Sequence, residues 1–539
     1  MSSEAPLLVL ARRIHTLDPA ATPDGARPDA LLVQHGRVLA AGRAEELRRA
    51  APGVRTLDLR PATLTPGLAD AHIHLVEWAF ARREIDLAAA ASPEQAAHLV
   101  ARHAGRGSGW IRGRGWNPHR WRTAPTRELL DRAAPGRPVA LQSHDMHALW
   151  VNTAALEHAG IGPDTPDPVG GRIVRDGEGR PTGLLLERAA ELVVRSIPPV
   201  SDADAEAALL DAQAELHRHG ITAVHCLPNI HITGPDPLPL LERLRARDLL
   251  RLRVLVHLPL AALDEAIRIG LRSGFGSEWI RIGGVKMFLD GALGSRTAWL
   301  REPYTGSRDH GIQVLPADEF RETVRRAANA GIASVVHAIG DAAVSLAVDV
   351  LSDPAARGPA LPHRIEHVQL CPPERFAGLG TGGIIASVQP CHLITDWRAA
   401  ERHWGIERCR GAYAFRSLRD GGAVLAFGSD APVEPVDPRR GLFAAVARQD
   451  LDGQPADGWF PAERLSPADA LRAYTAGPAF AAGVAGFLGT LAPGAAADFV
   501  AWDEDPLELD APALLRLRCL ATAVGGAVVW SEVPTHTHA

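Results

Sequence analysis

Cysteine is scarce in this 539-residue chain. Its five cysteines, Cys226, Cys371, Cys391, Cys409 and Cys519, form no Cys-x-x-Cys pair and no even framework, which argues against disulfide stapling and a cysteine-rich zinc site. Their scatter suits a reducing compartment. Long apolar runs are also missing: no stretch reaches the roughly 20 residues that span a bilayer, and no basic region followed by a long apolar run stands at the N-terminus. The expectation is a soluble, cytoplasmic protein. Runs of like charge are absent as well. With 57 Lys+Arg against 63 Asp+Glu the formal charge is −6, so nothing suggests nucleic acid or an anionic membrane surface, and a small molecule is the expected partner. Few Lys, Met and Tyr beside abundant Gly, Pro, Ala and Arg read as the bias of a GC-rich coding genome.

The length exceeds one ordinary core, so two or three structural units are expected. Short apolar runs near the start, Leu7–Leu10, Ala30–Val33 and Val38–Gly42, read as strands of a small β unit, with a short helix around Ala44 to Arg49. A matching pattern returns at Gly489–Gly494, Ala497–Trp502 and Ala523–Trp530, which predicts one composite β-sandwich built from residues 1–64 and 485–539. Residues 65–484 alternate strands with helical stretches, the pattern of a parallel α/β fold. Eight strands are predicted: Leu68–His74, Ile221–Leu227, Leu252–Leu258, Ile282–Leu289, Ile332–His337, Arg364–Val368, Ile384–Gln389 and Ala423–Gly428. Eight fits a (β/α)₈ barrel of the TIM type. About 145 residues separate the first strand from the second, so an inserted subdomain over residues 76–205 is expected to cover the site.

The chain is organised around Pro66-Gly67-Leu68-Ala69-Asp70-Ala71-His72-Ile73-His74. Period-two alternation puts His72 and His74 on one side of a strand, where both can reach one metal ion or simply hydrogen-bond in a loop. The remaining strand ends favour the metal: the fourth strand contains Lys286, the fifth ends in His337, the sixth in His367, and the eighth runs into Asp430. Four imidazoles, a lysine and a carboxylate at five strand ends suit one or two divalent ions, with zinc the default.

Pro66-Gly67-x-x-Asp70-x-His72-x-His74, Val335-Val336-His337-Ala338, Arg364-Ile365-Glu366-His367 and Gly428-Ser429-Asp430 resemble the metal motifs of the amidohydrolase superfamily. The run Gly284 to Ala298, Gly115-Trp116 and His147-x-x-Trp150-Val151-Asn152 are similar to its amidohydrolase-3 branch, which includes N-substituted formamide deformylases. The resemblance implies His72, His74 and Asp430 on one metal, His337 and His367 on the other, and Lys286 bridging them as a CO₂-derived carbamate, because a protonated amine with a pKa near 10.4 is a poor ligand. It also implies a homodimer. Metal coordination lowers the pKa of bound water toward about 7, so the expected chemistry is attack of metal-bound hydroxide on a non-peptide C–N bond. Asp430 is the expected catalytic residue, taking the proton as base and returning it to the leaving amine as acid. An N-substituted formamide or other N-acyl amine is the leading substrate class. Cyclic amides, carbamates, esters and ring deamination are alternatives on the same barrel, and a non-catalytic binding or assembly relative is the remote one.

Further substrate-binding candidates are His225 at the end of the second strand, as a donor to the carbonyl, and Gln389 at the end of the seventh. Asp290 and Arg296 follow the fourth strand and either bind substrate or pair with each other. In the insertion, Asp145 and His147 are expected to reach the pocket and Trp116 to form an apolar wall or fill the insertion's own core. Strand alternation turns Glu366 away from the barrel interior, outside the site. The Thr535-His536-Thr537-His538 tail is read as unstructured and incidental.

Overall fold

The computed structural model describes all residues except 1–4, 19, 21–26, 106–108, 118–120, 144–147, 169–170, 230–234, 533–536 and 539. Eight parallel strands form one continuous sheet in chain order: β1 (Leu68–Ile73), β2 (Ile221–Cys226), β3 (Arg253–Pro259), β4 (Ile280–Phe288), β5 (Ser334–Ala338), β6 (Arg364–His367), β7 (Ile385–Val388) and β8 (Leu425–Phe427). All eight predicted strands are present. Parallel order with a helical crossover between successive strands is the barrel pattern, and strands buried on both faces read as near-continuous apolar runs.

The ring closes just beyond β8. The Asp430 amide donates to the His72 carbonyl at 2.7 Å, and the His74 amide donates to the Ala431 carbonyl at 2.9 Å. This seam permits no side chain at Gly428, where a Cβ would lie 2.4 Å from the His72 nitrogen. Barrel closure and the predicted site therefore share the same few residues.

Two five-stranded sheets draw on both ends of the chain. One pairs Leu7–Leu10 with Ala30–Gln34 and Arg55–Asp58, and the other runs through Thr63–Pro66, Phe499–Trp502, Cys519–Val524 and Ala527–Ser531. Leu7, Val9, Leu31 and Leu57 from the first pack with Leu64, Phe499 and Ala521 from the second in one apolar core. Phe499–Trp502 and the hairpin after it match the predicted C-terminal strands, whereas Gly489–Gly494 forms no strand; both end glycines sit at positive φ. The tail is not wholly unstructured, since Thr537 and His538 add an edge strand beside Arg55–Asp58.

Two compact units emerge. Residues 1–74, 213–228 and 241–539 form the first, and residues 75–212 and 229–240 the second. The second unit has its own six-stranded sheet, in the order Gly171–Arg175, Pro181–Glu187, Ala148–Val151, Val139–Ser143, Ile111–Trp116 and Ile85–Asp86. Its core holds Trp116, Trp121 and Trp150, with Trp116 stacked on Trp121 at 5.2 Å between ring centroids. Each indole N–H meets a backbone carbonyl, those of Leu141, Ala90 and Thr126 respectively. A large amphipathic ring is stable in a small core only when its one donor is satisfied. Among the described residues, no helix is long and apolar enough to cross a membrane.

Candidate metal centre

The six residues expected at the strand ends all stand at one end of the barrel, and all are at least nine-tenths buried except His337, which is slightly more open. Backbone geometry at two of them is unusual. His367 has φ +76° and Asp430 φ +59°, the left-handed region in which a non-glycine residue costs on the order of 1–3 kcal/mol. Both are held there by the barrel ladder: the Val368 amide donates to the Ala338 carbonyl at 3.1 Å, and the Asp430 amide to His72 as above. The strain re-aims two side chains at the barrel rim. One ligand-type atom from each of His72, His367 and Asp430 lies within 4.8 Å of the others, a spacing that can hold one ion. This grouping runs across the expected division into two metal sites.

Three imidazoles are oriented by what their outer nitrogens do. His72 Nδ1 donates to the Glu366 carboxylate. His74 Nδ1 donates to the Pro228 carbonyl at 2.9 Å, and His337 Nε2 donates to the Gly291 carbonyl at 2.9 Å. A donor fixed on one ring nitrogen leaves the lone pair of the other exposed, and this is how metal-ligating histidines are held. The Nε2 atoms of His72 and His74 stand 3.3 and 3.6 Å from Asp430 Oδ1. His367 Nδ1 and Lys286 Nζ are buried with no hydrogen-bond partner among the described residues. Orphaned buried polar atoms are costly, and a bound cation is a natural complement for the first. The residue set fits a divalent ion.

Charge supports the same reading. Burial pushes His74 down to about 4 and His337 to about 3, and holds His367 well below its ordinary range, so these rings are neutral at pH 7, the form that metal coordination requires. His72 differs: burial pushes it down, while Asp430 and Glu366 on either side push it above its usual value. Burial also brings the Lys286 amine down to about 8. Asp430, opposed by burial but stabilised by His72, lies well below the ordinary carboxylate range.

The expectation for Glu366 is overturned. It is fully buried, holds His72, and pairs with the buried Arg364. Arg364 reaches the Ala71 carbonyl at 2.6 Å, His225 Nδ1 at 2.8 Å and the Ser387 hydroxyl, so its guanidinium crosses the barrel interior from β6 toward β1, β2 and β7. Arg364 and Glu366 therefore hold the inward positions of β6. Simple alternation failed because the left-handed backbone at His367 breaks the period and turns the next imidazole inward as well.

The weaker candidates separate. His225 accepts from Arg364 beneath the histidine cluster, with its ring fully enclosed. Gln389 stands at the N-terminal boundary of the helix after β7 without a side-chain capping bond, and its side-chain amide donates to the Ser387 carbonyl at 3.3 Å. Asp290 does not pair with Arg296. Its carboxylate accepts from the amides of Trp299, Ile339 and Gly340 at 2.8–3.1 Å and stitches the loop after β4 to β5, while Arg296 lies over the Tyr304 ring. Trp116 is fully enclosed in the second unit's core, so it is no pocket wall. Asp145 and His147 lie outside the described residues.

Sequence reasoning missed two residues besides Glu366. Asp70 accepts from the Ser429 amide and hydroxyl and from the His72 amide, bracing the seam. His392, in the first turn of the helix Pro390–Trp404, places Nε2 3.6 Å from Asp430 Oδ2. The available signal was position: a helix that follows a barrel strand starts at the functional rim.

Comparison with known proteins adds a family. The chain is 32% identical over 522 residues to the Bacillus subtilis protein YtcJ, covering 94% of this chain and 97% of that protein. It is 28% identical over 551 residues to an N-substituted formamide deformylase of Arthrobacter pascens, covering 98% of each. A crystal structure of an uncharacterized metal-dependent hydrolase from Pyrococcus horikoshii OT3 superposes with a TM-score of 0.79 at 28% identity, covering 94% of this chain and 99% of that one. An amidohydrolase family model of the amidohydrolase-3 type matches residues 55–530, and the chain belongs to the amidohydrolase family.

Proposed function

We propose that the protein is a cytoplasmic, metal-dependent hydrolase that cleaves a non-peptide C–N bond of a small molecule, with an N-substituted formamide or other N-acyl amine as the leading substrate class. The observation that carries the reading is the set of histidines at the barrel rim whose outer nitrogens are tied to Glu366, Pro228 and Gly291, with the Nε2 atoms of His72 and His74 facing Asp430. The deformylase relative supports the bond type, and the Pyrococcus structure supports metal dependence. Five free, buried cysteines suit a reducing compartment.

His72, His74, His337, His367 and Asp430 would hold the metal, with zinc the first choice, and carboxylated Lys286 would join them if two ions bind. A divalent ion in that position supplies Lewis acidity toward a carbonyl oxygen and toward water. The chain does the rest. Asp430, ionised at neutral pH, accepts the proton of the attacking water on a carboxylate oxygen and delivers it to the departing amine nitrogen. Glu366 keeps the His72 proton on Nδ1, and the carbonyls of Pro228 and Gly291 do the same for the outer nitrogens of His74 and His337. Asp290 holds the loop after β4 in place through the amides of Trp299, Ile339 and Gly340.

The test is amine release from a panel of aliphatic and aromatic N-formyl and N-acyl amines by zinc-reconstituted protein, with Asp430→Asn as control. Turnover lost in the control supports the reading. No release from any member, with metal bound, sinks the linear-amide assignment and shifts attention to cyclic amides, esters and ring deamination.

A further inference from the structure

His392 is buried beside the centre and is not one of the rim histidines tied to carboxylate or carbonyl. Gln369, two residues past β6, donates its amide N–H to His392 Nδ1 at 3.2 Å, which places the ring hydrogen on Nε2. That Nε2 is enclosed and has no hydrogen-bond acceptor within reach among the described residues. Its nearest carboxylate oxygen is Asp430 Oδ2, at 3.6 Å. The other oxygen, Oδ1, faces His72 and His74. Asp430 is thus bracketed: lone pairs on the Oδ1 side, an N–H on the Oδ2 side.

We propose that His392 is a positioning residue for Asp430, its Nε2–H directed at Oδ2 so that Oδ1 stays on the side of His72 and His74. The proposal rests on the reading of Asp430 as the proton carrier. A carboxylate that must first accept a proton and then deliver it to a leaving group gains from a fixed plane, since misplacement of a reacting group is costly in rate. The separation is longer than a hydrogen bond, as is common for catalytic contacts before substrate binds. The three-point anchorage makes the ring a fixed support. Gln369 holds Nδ1, the helix start at Pro390 fixes the backbone, and the His392 amide donates to the Gln389 carbonyl at 3.1 Å.

Two measurements test this. In ¹⁵N-histidine NMR of the full chain, the His392 signals are assigned by their loss in His392→Gln. The expected result is the Nε2–H tautomer, with an Nε2 resonance that moves in Asp430→Asn. An Nδ1–H tautomer, or no response to Asp430→Asn, overturns the proposal, and this readout needs no substrate. The second measurement is steady-state kinetics on the best amide of the panel. His392→Ala should lower kcat about 10- to 100-fold, the usual scale for outer groups that orient a metal site, with KM within about twofold and metal content unchanged. His392→Gln, which keeps an N–H near the position of Nε2, should recover most of the loss. Unchanged kcat in His392→Ala, or activity falling in proportion to lost metal, overturns the assignment. A wild-type protein inactive on every amide defeats the linear-amide assignment alone, and the tautomer then decides the role of His392.

Discussion

Ser429 Oγ donates to Asp70 Oδ2 across 2.6 Å, joining the end of the last barrel strand to the first. The same carboxylate takes the amides of Ser429 and His72 at 3.0 and 3.1 Å, so one buried acid fixes both backbone segments that carry His72 and Asp430. Burial pushes Asp70 up to about 6 despite these donors. Ser429→Ala removes one donor from a group that water cannot reach, a loss of about 1–3 kcal/mol. Urea denaturation should show the lower midpoint with an unchanged m-value. Activity should fall further than stability alone explains, because the Asp430 backbone loses its brace.

Glu366 offers a sharper test, since it touches both a ligand-type histidine and the buried Arg364. Glu366→Gln leaves an oxygen for the His72 proton but strips Arg364 of its counter-charge. Removing one partner of a buried pair costs about 3–5 kcal/mol, well above the worth of an exposed pair. Metal affinity should also drop about 10- to 100-fold, because the His72 tautomer is no longer enforced by a charge. Metal titration of the folded fraction separates the two effects. Unaltered affinity would mean that Glu366 serves the barrel and not the centre.

These cases mark what was legible in the sequence. The eight strands were readable because burial on both faces of a parallel sheet writes continuous apolar runs, and the rim residues because functional groups collect at strand ends. His72, His74, His337, His367 and Asp430 followed from that rule. Glu366 did not, because counting alternation back from His367 assumes that His367 points inward by the strand's period, whereas a left-handed backbone brings it there. Asp290 and Trp116 each carried two readings for one shared reason: a polar or amphipathic residue in a loop or insertion looks functional until its backbone partners are known. For Asp290 those are three amides from two distant segments, and for Trp116 the Leu141 carbonyl 25 residues on.

Lys286 carries a pH dependence whose sign follows from burial. Its amine titrates at about 8 against an ordinary 10.5, because the enclosed charged form is penalised. Between these values the unfolded chain binds a proton that the folded one does not, so stability of the metal-free protein should rise from pH 8 toward pH 10. In Lys286→Met that contribution is absent, and the urea midpoint should climb less over the same range. The free amine is also the form that reacts with CO₂. Recovery of metal after chelation should therefore depend on bicarbonate and improve from pH 7 to pH 8.5; recovery indifferent to bicarbonate would remove the carbamate from the site.

Trp116 separates core from pocket. Its ring is fully buried against Trp121 and Trp150, and its N–H is spent on the Leu141 carbonyl at 2.8 Å. Trp116→Ala should cost about 3–5 kcal/mol, the range for deleting a large aromatic from a packed core. Trp116→Phe keeps much of the apolar contact and forfeits the hydrogen bond, leaving the Leu141 carbonyl without that donor, a smaller loss of about 1–2 kcal/mol. Thermal unfolding should show this order, and KM for the best amide should stay within about twofold in Trp116→Phe, because no face of the ring is open to a substrate. A Trp116→Phe protein with wild-type stability and a tenfold higher KM would put the indole back at the pocket wall.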